Sequence, residues 1–405
     1  MRSLVTAVLL IAWMSSAFAD DPKWLVDARA KESRLIDARP VSSADKQLSF
    51  AVPVAMVGAM TEDKGSYSVQ FAMGPDAVAN CEILKDDVDV ASLLRETARI
   101  TFADSIEPAQ GKVELKRVEH IDAGVAGPTA FLSAAWLYRV NDGKTLKVGA
   151  LKQYAASRLG HGVYCALNDL GYAKSFATVA GALVESLKMK DAGATPHFSE
   201  VSVATVGDMR IGYSTVEMMR DKDGDTKSTE TSALLMIIAP DALQSADLVH
   251  VEWVKPDGTV INAKHVMSNN GEIEMDLALA QGEGTSWLVD GTFKGKKVHE
   301  NIADGVPSSW VSQTNLRRTL LAKESPIGAE ATETDWLDSD PAHLTAMTVK
   351  VTSAIDANSF GVREAAGPMA VDMVVDRATG QATQGTMQVG PVAIKFARIY
   401  VQGTP

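Results

Sequence analysis

Three aspartates at alternate positions, Asp221, Asp223 and Asp225, are the first residues of this sequence whose spacing suggests chemistry. They match the first, third and fifth positions of an EF-hand loop, where carboxylate oxygens face a calcium ion. That loop also needs Gly at its sixth position, an apolar residue at its eighth and a bidentate Glu at its twelfth. Those positions hold Thr226, Ser228 and Ser232. The calcium motif is therefore incomplete.

The residues on both sides of this acidic stretch alternate between apolar and polar, which is typical of strands rather than of the two helices of an EF-hand. The dipeptide Asp223-Gly224 is typical of a two-residue hairpin loop. We therefore predict a hairpin tip with solvated carboxylates, and no metal site.

The chain contains two cysteines, Cys81 and Cys165. In an exported protein, a single pair of cysteines is most simply a disulfide. The alternative is a nucleophilic or redox-active cysteine, but the sequence has no Cys-x-x-Cys motif. On an extended strand, His161 would lie about 13 Å from Cys165, too far for a thiolate–imidazole pair. We predict a Cys81–Cys165 disulfide.

Motifs of common enzymes and metal sites are absent from the sequence. There is no Gly-x-Ser-x-Gly; in "GYSTV", Ser214 lies in a strand pattern. The seven histidines are scattered singly, whereas a closed zinc site needs four ligands. We predict no catalytic residue, no metal and no cofactor. A hydrolase whose residues meet only in the folded protein remains the alternative.

An acidic run, "EATETDWLDSDPAH" at residues 330–343, contains five carboxylates and no Lys or Arg. Paired carboxylates can perform acid–base catalysis, as in glycosidases. Catalytic carboxylates, however, need apolar walls that shift their pKa values, and this run is polar throughout. We predict a solvated loop; a weak site for a cation or a basic partner is the alternative.

Methionine and tryptophan are concentrated in the second half of the chain. Soft Met side chains suit adaptable apolar pockets, and this feature is the one that suggests a ligand. The alternative is that these side chains only fill the core. The predicted ligand contacts are Met218, Met236, Trp253, Trp287 and Trp310.

Residues 1–19, "MRSLVTAVLLIAWMSSAFA", have the basic start, short apolar run and small residues of a secretory signal peptide. No later stretch is long and apolar enough to predict a membrane span. The formal charge of −12 argues against nucleic acid as a partner, because such binding needs clustered Lys and Arg. We predict a periplasmic or secreted protein.

The pattern along the chain predicts an α+β fold with two domains. Residues 20–46 would be an extension, 47–192 an α+β domain that contains both cysteines, and 193–199 a linker. Residues 200–405 would form a curved antiparallel β-sheet, because apolar residues there alternate with polar ones. Residues 309–322 are predicted to be a helix that covers this sheet, and residues 175–190 a helix that ends the first domain.

The stretch "GDMRIGYSTVEMMRDKDGDTKSTETSALLMI", followed by "WVKPDGTVINAKHV" and later by "MAVDMVVDRATGQ", resembles the exported β-rich domains of LolA-type lipoprotein carriers. The strands that precede the helix after "HGVYCALND" are similar to PsbP/Mog1-like α+β domains. The first resemblance implies a half-barrel that holds an acyl chain or another apolar segment, with no catalytic residue.

The function predicted from the sequence is therefore an exported, non-enzymatic envelope protein. It would bind an apolar small molecule, such as a lipid or acyl chain, or a partner protein. The alternative is an assembly or inhibitor module that uses a surface rather than a pocket.

Overall fold

The computed structural model describes residues 22–63, 66–190, 193–282, 286–302, 305–336, 341–367 and 369–405. The described chain is mostly β-structure in large antiparallel sheets. It divides into two compact units. The N-terminal unit runs to Ala194 and includes Ala233–Ser245, and the C-terminal unit comprises Thr195–Ser232 and Ala246–Pro405. The predicted signal peptide lies outside the described residues, and the predicted domain boundaries remain predictions.

The N-terminal unit contains helices on a seven-stranded antiparallel sheet of order β3-β4-β5-β9-β8-β7-β6, and a small sheet of order β1-β2-β10. Its helices are α1 (Lys23–Arg29), α2 (Val90–Ile100), α3 (Glu107–Gln110) and α4 (Ala173–Ser186), with a π-helical segment at Thr101–Ile106. Its strands are β1 (Arg39–Ser42), β2 (Leu48–Val52), β3 (Thr61–Asp63), β4 (Ser66–Ala72), β5 (Val78–Leu84), β6 (Lys112–Ala126), β7 (Thr129–Asn141), β8 (Leu146–Arg158), β9 (His161–Asn168) and β10 (Lys188–Met189).

The apolar stripe of α4 packs into the main core of this unit. Phe176, Val179 and Leu183 contact side chains of β2, β4 and β5 in one buried cluster. Helix α2 is joined to the sheet by the buried amide of Gln153, which donates to the Leu94 carbonyl at 3.1 Å. The predicted helix was too long at its C-terminal end, because Lys188–Met189 is strand β10, which pairs with β2.

The predicted disulfide is present and links Cys81 to Cys165. The two residues lie directly opposite each other on the neighbouring antiparallel strands β5 and β9, and both are buried in the core. The disulfide therefore fastens two neighbouring strands of the sheet.

Replacing both cysteines with alanine is expected to destabilise the N-terminal unit by about 4 kcal/mol, because the bond closes a loop of 84 residues in the unfolded chain. Urea unfolding followed by fluorescence measures the change. Reductant should have no further effect on the double variant. Labelling of both thiols in the unfolded but unreduced protein would contradict the assignment.

The C-terminal unit is built on one antiparallel sheet, in which fourteen strands are described, with one helix, α5 (Trp310–Leu321). The strands are β11 (Phe198–Val206), β12 (Met209–Arg220), β13 (Thr226–Ala239), β14 (Ala242–Val254), β15 (Val260–Asn269), β16 (Glu272–Gln281), β17 (Trp287–Phe293), β18 (Lys296–Ile302), β19 (Glu330–Trp336), β20 (Leu344–Ala354), β21 (Ser359–Ala366), β22 (Met369–Asp376), β23 (Ala382–Val389) and β24 (Val392–Gly403). Ala233–Ser245, at the tip of the β13–β14 hairpin, belongs to the N-terminal unit.

Every neighbouring pair of strands in this sheet follows the chain order except β11 and β24. Strands β11 to β18 run outward from this junction in one direction, and β19 to β24 return to it from the other. The segment after β18 then connects the two ends of the ladder. The indole N–H of Trp287 on β17 donates to the Gly305 carbonyl at 3.0 Å, and the Ser308 N–H donates to Thr334 on β19 at 2.7 Å. The sheet is therefore strongly curved.

Helix α5, which the sequence predicted at 309–322, lies against the sheet. Ser309 and Ser312 form a capping box at its start, and the Ser309 hydroxyl also donates to the Gly258 carbonyl at 2.7 Å. Gly380, in the turn between β22 and β23, has a φ of +72°. The backbone of this turn lies so close to α5 that a Cβ on residue 380 would be only 2.3 Å from the Thr314 carbonyl oxygen. The hydrogen bond from Ser309 to Gly258 and the close approach of the Gly380 turn together position α5. Within the described ranges, no helix is long and apolar enough to cross a membrane.

The acidic stretch that resembles a calcium loop forms the turn between β12 and β13. The Asp221 carboxylate accepts backbone N–H groups from Asp223 at 2.8 Å and from Asp225 at 3.0 Å. This oxygen thus stabilises the turn itself, an Asx-type arrangement. The flanks are strands, as predicted.

Calcium is expected to leave the melting temperature unchanged. Asp221→Ala should destabilise the protein by about 1 kcal/mol, because two backbone donors lose their acceptor. The matched change Asp223→Ala leaves both bonds in place and should have a smaller effect. Thermal unfolding with and without calcium tests this. A calcium-induced rise in melting temperature that Asp223→Ala abolishes would contradict the turn assignment.

Candidate functional site

A cavity of about 120 Å³ lies in the C-terminal unit, lined by strands of the curved sheet and by α5. Its lining falls into two chemical classes. The polar lining consists of Glu200, Ser202, Ser214, Ser228, Glu230, His250, Glu252, Gln313, Arg317, Asp335 and Glu364. The apolar lining consists of Val216, Trp310, Met347, Ala366, Met369, Ala370, Val371, Met373, Ala382 and Met387.

Most of the polar lining comes from four adjacent strands, β11 to β14, and we call this part the polar floor. Each strand contributes two residues separated by one, so that both side chains point to the same face of the sheet. The pairs are Glu200 and Ser202, Ser214 and Val216, Ser228 and Glu230, and His250 and Glu252. Seven of these eight side chains are polar. Strand periodicity therefore concentrates buried polar groups on one patch.

Most of the apolar lining comes from the other half of the ladder, strands β20 to β23, and we call it the methionine wall. Four methionines contribute to it: Met347, Met369, Met373 and Met387. Met369, Val371 and Ala382 are partly exposed, whereas most of the polar floor is buried. The exposed part of the lining is therefore mainly apolar, although Met347, Met373 and Met387 are as buried as the polar floor.

Helix α5 completes the cavity and holds three of the carboxyl groups in place. The Arg317 Nε lies 3.2 Å from Glu364 Oε1, and both side chains are largely buried. At the first turn of the helix, the Trp310 N–H donates to Glu252 Oε2 at 3.1 Å. The Gln313 amide donates to Asp335 Oδ2 at 3.4 Å. A carboxylate near a helix N-terminus also interacts favourably with the helix dipole.

Glu200 is a cavity carboxyl group whose pKa is changed by its surroundings. Burial raises its pKa, and the neighbouring Arg398 guanidinium only partly opposes this effect. The Arg398 Nη1 lies 3.7 Å from Glu200 Oε2, beyond hydrogen-bond distance. Among the described residues, no group donates a hydrogen bond to this buried oxygen. Glu200 therefore has unused hydrogen-bonding capacity inside the cavity.

A histidine–carboxylate pair is also buried in the cavity. His250 Nε2 lies 3.5 Å from Glu252 Oε1, and the side chains are 5% and 6% exposed. The ring centroids of His250 and His265 are 3.7 Å apart with the ring planes tilted by 56°, and the His265 centroid lies 4.5 Å from that of Trp336. This pairing meets one structural requirement for general acid–base chemistry. Within the described part of the chain, no group of three or more His, Cys, Asp or Glu residues is arranged to hold a metal ion.

Of the five ligand contacts predicted from the sequence, Trp310 lines the cavity. Met218 is buried in a core cluster with Phe198, and Trp287 in another with Val289. Trp253 is half-buried on β14, on the face opposite Glu252. Met236 belongs to the N-terminal unit. The role of these residues in binding stays a prediction.

Sequence reasoning missed the polar floor. The available signal was Ser and Glu at alternate positions of four strands, as in "SEVS", "STV", "STE" and "HVE", where polar residues take the inward-facing positions. The predicted solvated loop at 330–343 was also wrong in part: Glu330–Trp336 is strand β19, and Asp335 is completely buried. Residues 337–340 lie outside the described residues. Pairing with β20 and burial against α5 explain this difference.

The raised pKa of Glu200 predicts how stability varies with pH. In the unfolded chain the Glu200 carboxyl has its usual pKa of 4.5, and in the folded protein its pKa is higher. The folded protein therefore binds this proton more tightly than the unfolded chain does. The stability that this provides is present below pH 4.5 and is lost as pH rises through the raised pKa. Glu200→Gln should therefore lose less stability than the wild type between pH 4 and pH 7.

Urea unfolding at several pH values measures this difference. Glu272→Gln, a change at an exposed position of β16, is the matched control and should follow the wild-type profile. Parallel profiles for Glu200→Gln and the wild type would contradict the assignment.

No protein-family model and no curated protein matches this chain. Among solved structures, the chain is similar to a β-barrel-like protein of a domain of unknown function, DUF1849, from Brucella abortus. The identity is 12% and the TM-score 0.39, over 51% of this chain and 98% of that chain. It is also similar to a DUF1089 family protein from Pseudomonas aeruginosa, with 11% identity and a TM-score of 0.27, over 43% of this chain and 88% of that one.

A further similar structure is cyanobacterial PsbP from Synechocystis, with 10% identity and a TM-score of 0.25, over 38% of this chain and 92% of that chain. A PsbP structure is thus among the similar structures. None of these three is a LolA-type carrier, and that resemblance stays a prediction.

Proposed function

We propose that this chain is an exported binding protein that holds a small amphiphilic ligand in the cavity of its C-terminal unit. The observation that carries the proposal is the division of the cavity lining into a polar floor and a methionine wall. A purely structural core would bury apolar side chains on both sides, because buried polar groups cost free energy. Flexible Met side chains suit a surface that adapts to a ligand.

The size of the cavity limits what it holds. Its volume of about 120 Å³ is slightly below the roughly 150 Å³ of an engineered apolar cavity that admits benzene. The buried part of the ligand is thus about the size of a six-carbon group. An acyl chain of a membrane lipid would have to extend past the partly exposed residues of the methionine wall.

Export to the cell envelope is supported by two features. The first is the signal-like sequence at residues 1–19, and the second is the buried disulfide, since disulfides persist mainly in oxidising compartments.

A hydrolase is the second candidate, and the buried His250–Glu252 pair favours it. Three serines of the polar floor, Ser202, Ser214 and Ser228, lie in the same lining. Esterase assays with short acyl esters test this candidate. Turnover that His250→Ala abolishes would replace the binding function with an enzymatic one.

The binding function predicts that narrowing the cavity abolishes binding without unfolding the protein. Ala382 lines the cavity and is partly exposed, so Ala382→Trp should fill the space at little cost in stability. Isothermal titration with six-carbon probes that carry neutral, anionic and cationic heads is the measurement. The wild type should bind at least one probe, and Ala382→Trp should bind none.

The matched control is Ala397→Trp, which adds the same side chain at an exposed position of β24 outside the cavity. It should bind like the wild type. Failure of the wild type to bind any probe, or equal binding by Ala382→Trp, would contradict the proposed function. Native mass spectrometry of protein purified from the envelope would show whether a ligand co-purifies.

A further inference from the structure

We propose that the free edge of β18 binds the same edge of a second copy of this chain, so that two C-terminal units share one antiparallel sheet across a two-fold axis. The partner is held by main-chain hydrogen bonds and by complementary charges. No residue of β18 lines the cavity, and the inference therefore does not rest on the proposed function.

Strand β18 (Lys296–Ile302) is the last strand at one end of the ladder, and among the described residues it pairs with β17 alone. Five of its seven residues are exposed, so neither its side chains nor its outer edge is covered over most of its length. An edge strand of this kind presents unpaired N–H and C=O groups to which another strand can bind. The edge of β18 is therefore open to a further strand.

The turn before β18 determines which backbone groups face this edge. Lys294 and Gly295 have φ values of 50° and 73°, as in a two-residue type I′ hairpin loop. The two residues that flank such a loop are hydrogen-bonded to each other, and hydrogen-bonded pairs then alternate with non-hydrogen-bonded pairs along the two strands. The backbone groups that face the free edge are therefore those of Lys297 and His299.

A two-fold axis through Val298 brings these groups together. Lys297 of each copy is then directly opposite His299 of the other, which allows about four main-chain hydrogen bonds across the axis. The two Val298 residues form a non-hydrogen-bonded pair, whose Cα atoms are about 4.5 Å apart, so their side chains touch. Val298 is half-buried and packs against the core of its own unit, and the contact thus extends an existing apolar surface.

The charges of β18 are complementary in this register. Side chains at 296, 298 and 300 share one face of the sheet, and the axis places Lys296 of each copy opposite Glu300 of the other. Opposite charges at facing positions stabilise an antiparallel pair, and like charges destabilise it. Both side chains are exposed, and within the described part of the chain neither has an ion-pair partner. Pairing of the two copies therefore forms two new ion pairs and breaks none.

The other face of β18 is also compatible with this register. His299 Nδ1 lies 2.8 Å from Asp290 Oδ1 on β17. Across the paired strands, Asp290 and His299 of one copy and Lys297 of the other would lie in one row. The Lys297 ammonium would thus approach a row that contains a carboxylate.

The neighbouring symmetric registers are less favourable. An axis through Lys297 would place that residue opposite itself, and like charges oppose pairing. An axis through His299 would place Lys296 opposite Ile302, which is buried. Lysines on an edge strand usually prevent pairing with another chain. In β18, Glu300 makes one register attractive and leaves the others disfavoured.

Sedimentation velocity of the purified protein, from about 10 µM to about 1 mM, measures the association. The contact is small, so we expect a dimer with a Kd on the order of 100 µM at low salt. Because the new ion pairs are exposed, about 0.5 M salt should weaken the dimer.

Charge reversal tests the register. Lys296→Glu and Glu300→Lys each place like charges opposite each other at both contacts, and each variant alone is expected to be monomeric. An equimolar mixture of the two variants should dimerise again, because every facing pair then consists of opposite charges. Lys395→Glu makes the same charge change at an exposed position of β24 and is the matched control, which should dimerise like the wild type.

The main-chain contact is tested by His299→Pro. This change removes an N–H group that faces the free edge, and proline is tolerated at such positions of edge strands. The variant should therefore be folded, as circular dichroism and thermal unfolding verify, but monomeric. The six-carbon probes should bind all of these variants alike, so that the cavity is tested separately.

A wild type that remains monomeric at every concentration would overturn the inference. A dimer that persists in His299→Pro or in either charge-reversal variant would also overturn it, because the copies would then associate through another surface. The same conclusion follows if the mixture of the two folded charge-reversal variants stays monomeric. Each of these results leaves the proposed binding function in place.

Discussion

The pairing of β11 with β24 is the interaction on which the C-terminal unit depends. It joins strands almost 200 residues apart in sequence and is the one connection in the ladder that does not follow chain order. Without it, β11–β18 and β19–β24 would be separate sheets. The polar floor lies on the first of these groups and most of the methionine wall on the second. A cavity with two chemically different sides therefore exists only because this pair forms.

Glu200 shows how closely the site is linked to this junction. It lies on β11, and its nearest guanidinium belongs to Arg398 on β24. The ladder shifts register between Val201 and Ser202, so that Ser202 is opposite Arg398. Such an irregularity changes the direction of side chains next to it. Next to this irregularity, Arg398 Nη1 lies 3.7 Å from Glu200 Oε2, which has no hydrogen-bond donor among the described residues.

Helix α5 stabilises the polar groups that the curved sheet would otherwise leave unsatisfied. In its first turn, the Ser312 N–H donates to the Ser309 hydroxyl and the Trp310 N–H donates to Glu252. Its side chains reach Asp335 and Glu364. One helix thus connects β14, β19 and β21 through polar contacts, in addition to packing on apolar clusters. A buried polar network of this kind contributes to stability only when most of its members are satisfied.

The periodicity of the sequence predicted the strands around the cavity and the covering helix, because apolar alternation and helix signals are local. It did not predict the polar floor, since the same alternation assigns Ser and Glu to the solvent side of a sheet. Asp335 was misassigned for this reason: its neighbours are polar, and its burial arises from α5, which is adjacent only in the fold. Of the predicted Met and Trp contacts, Trp310 lines the cavity; composition alone does not select among such residues, because apolar residues are buried throughout both units.

The two units differ in how they use buried groups. The N-terminal unit buries an apolar core and reinforces it with a disulfide between neighbouring strands. The C-terminal unit places five carboxyl groups around one cavity, and α5 contacts three of them, Glu252, Asp335 and Glu364. Natural sequences place polar side chains in buried positions mainly at functional sites, where the loss of stability is compensated elsewhere in the protein. The polar floor is such a case, because its Ser, His and Glu side chains occupy buried positions that a structural core fills with apolar residues.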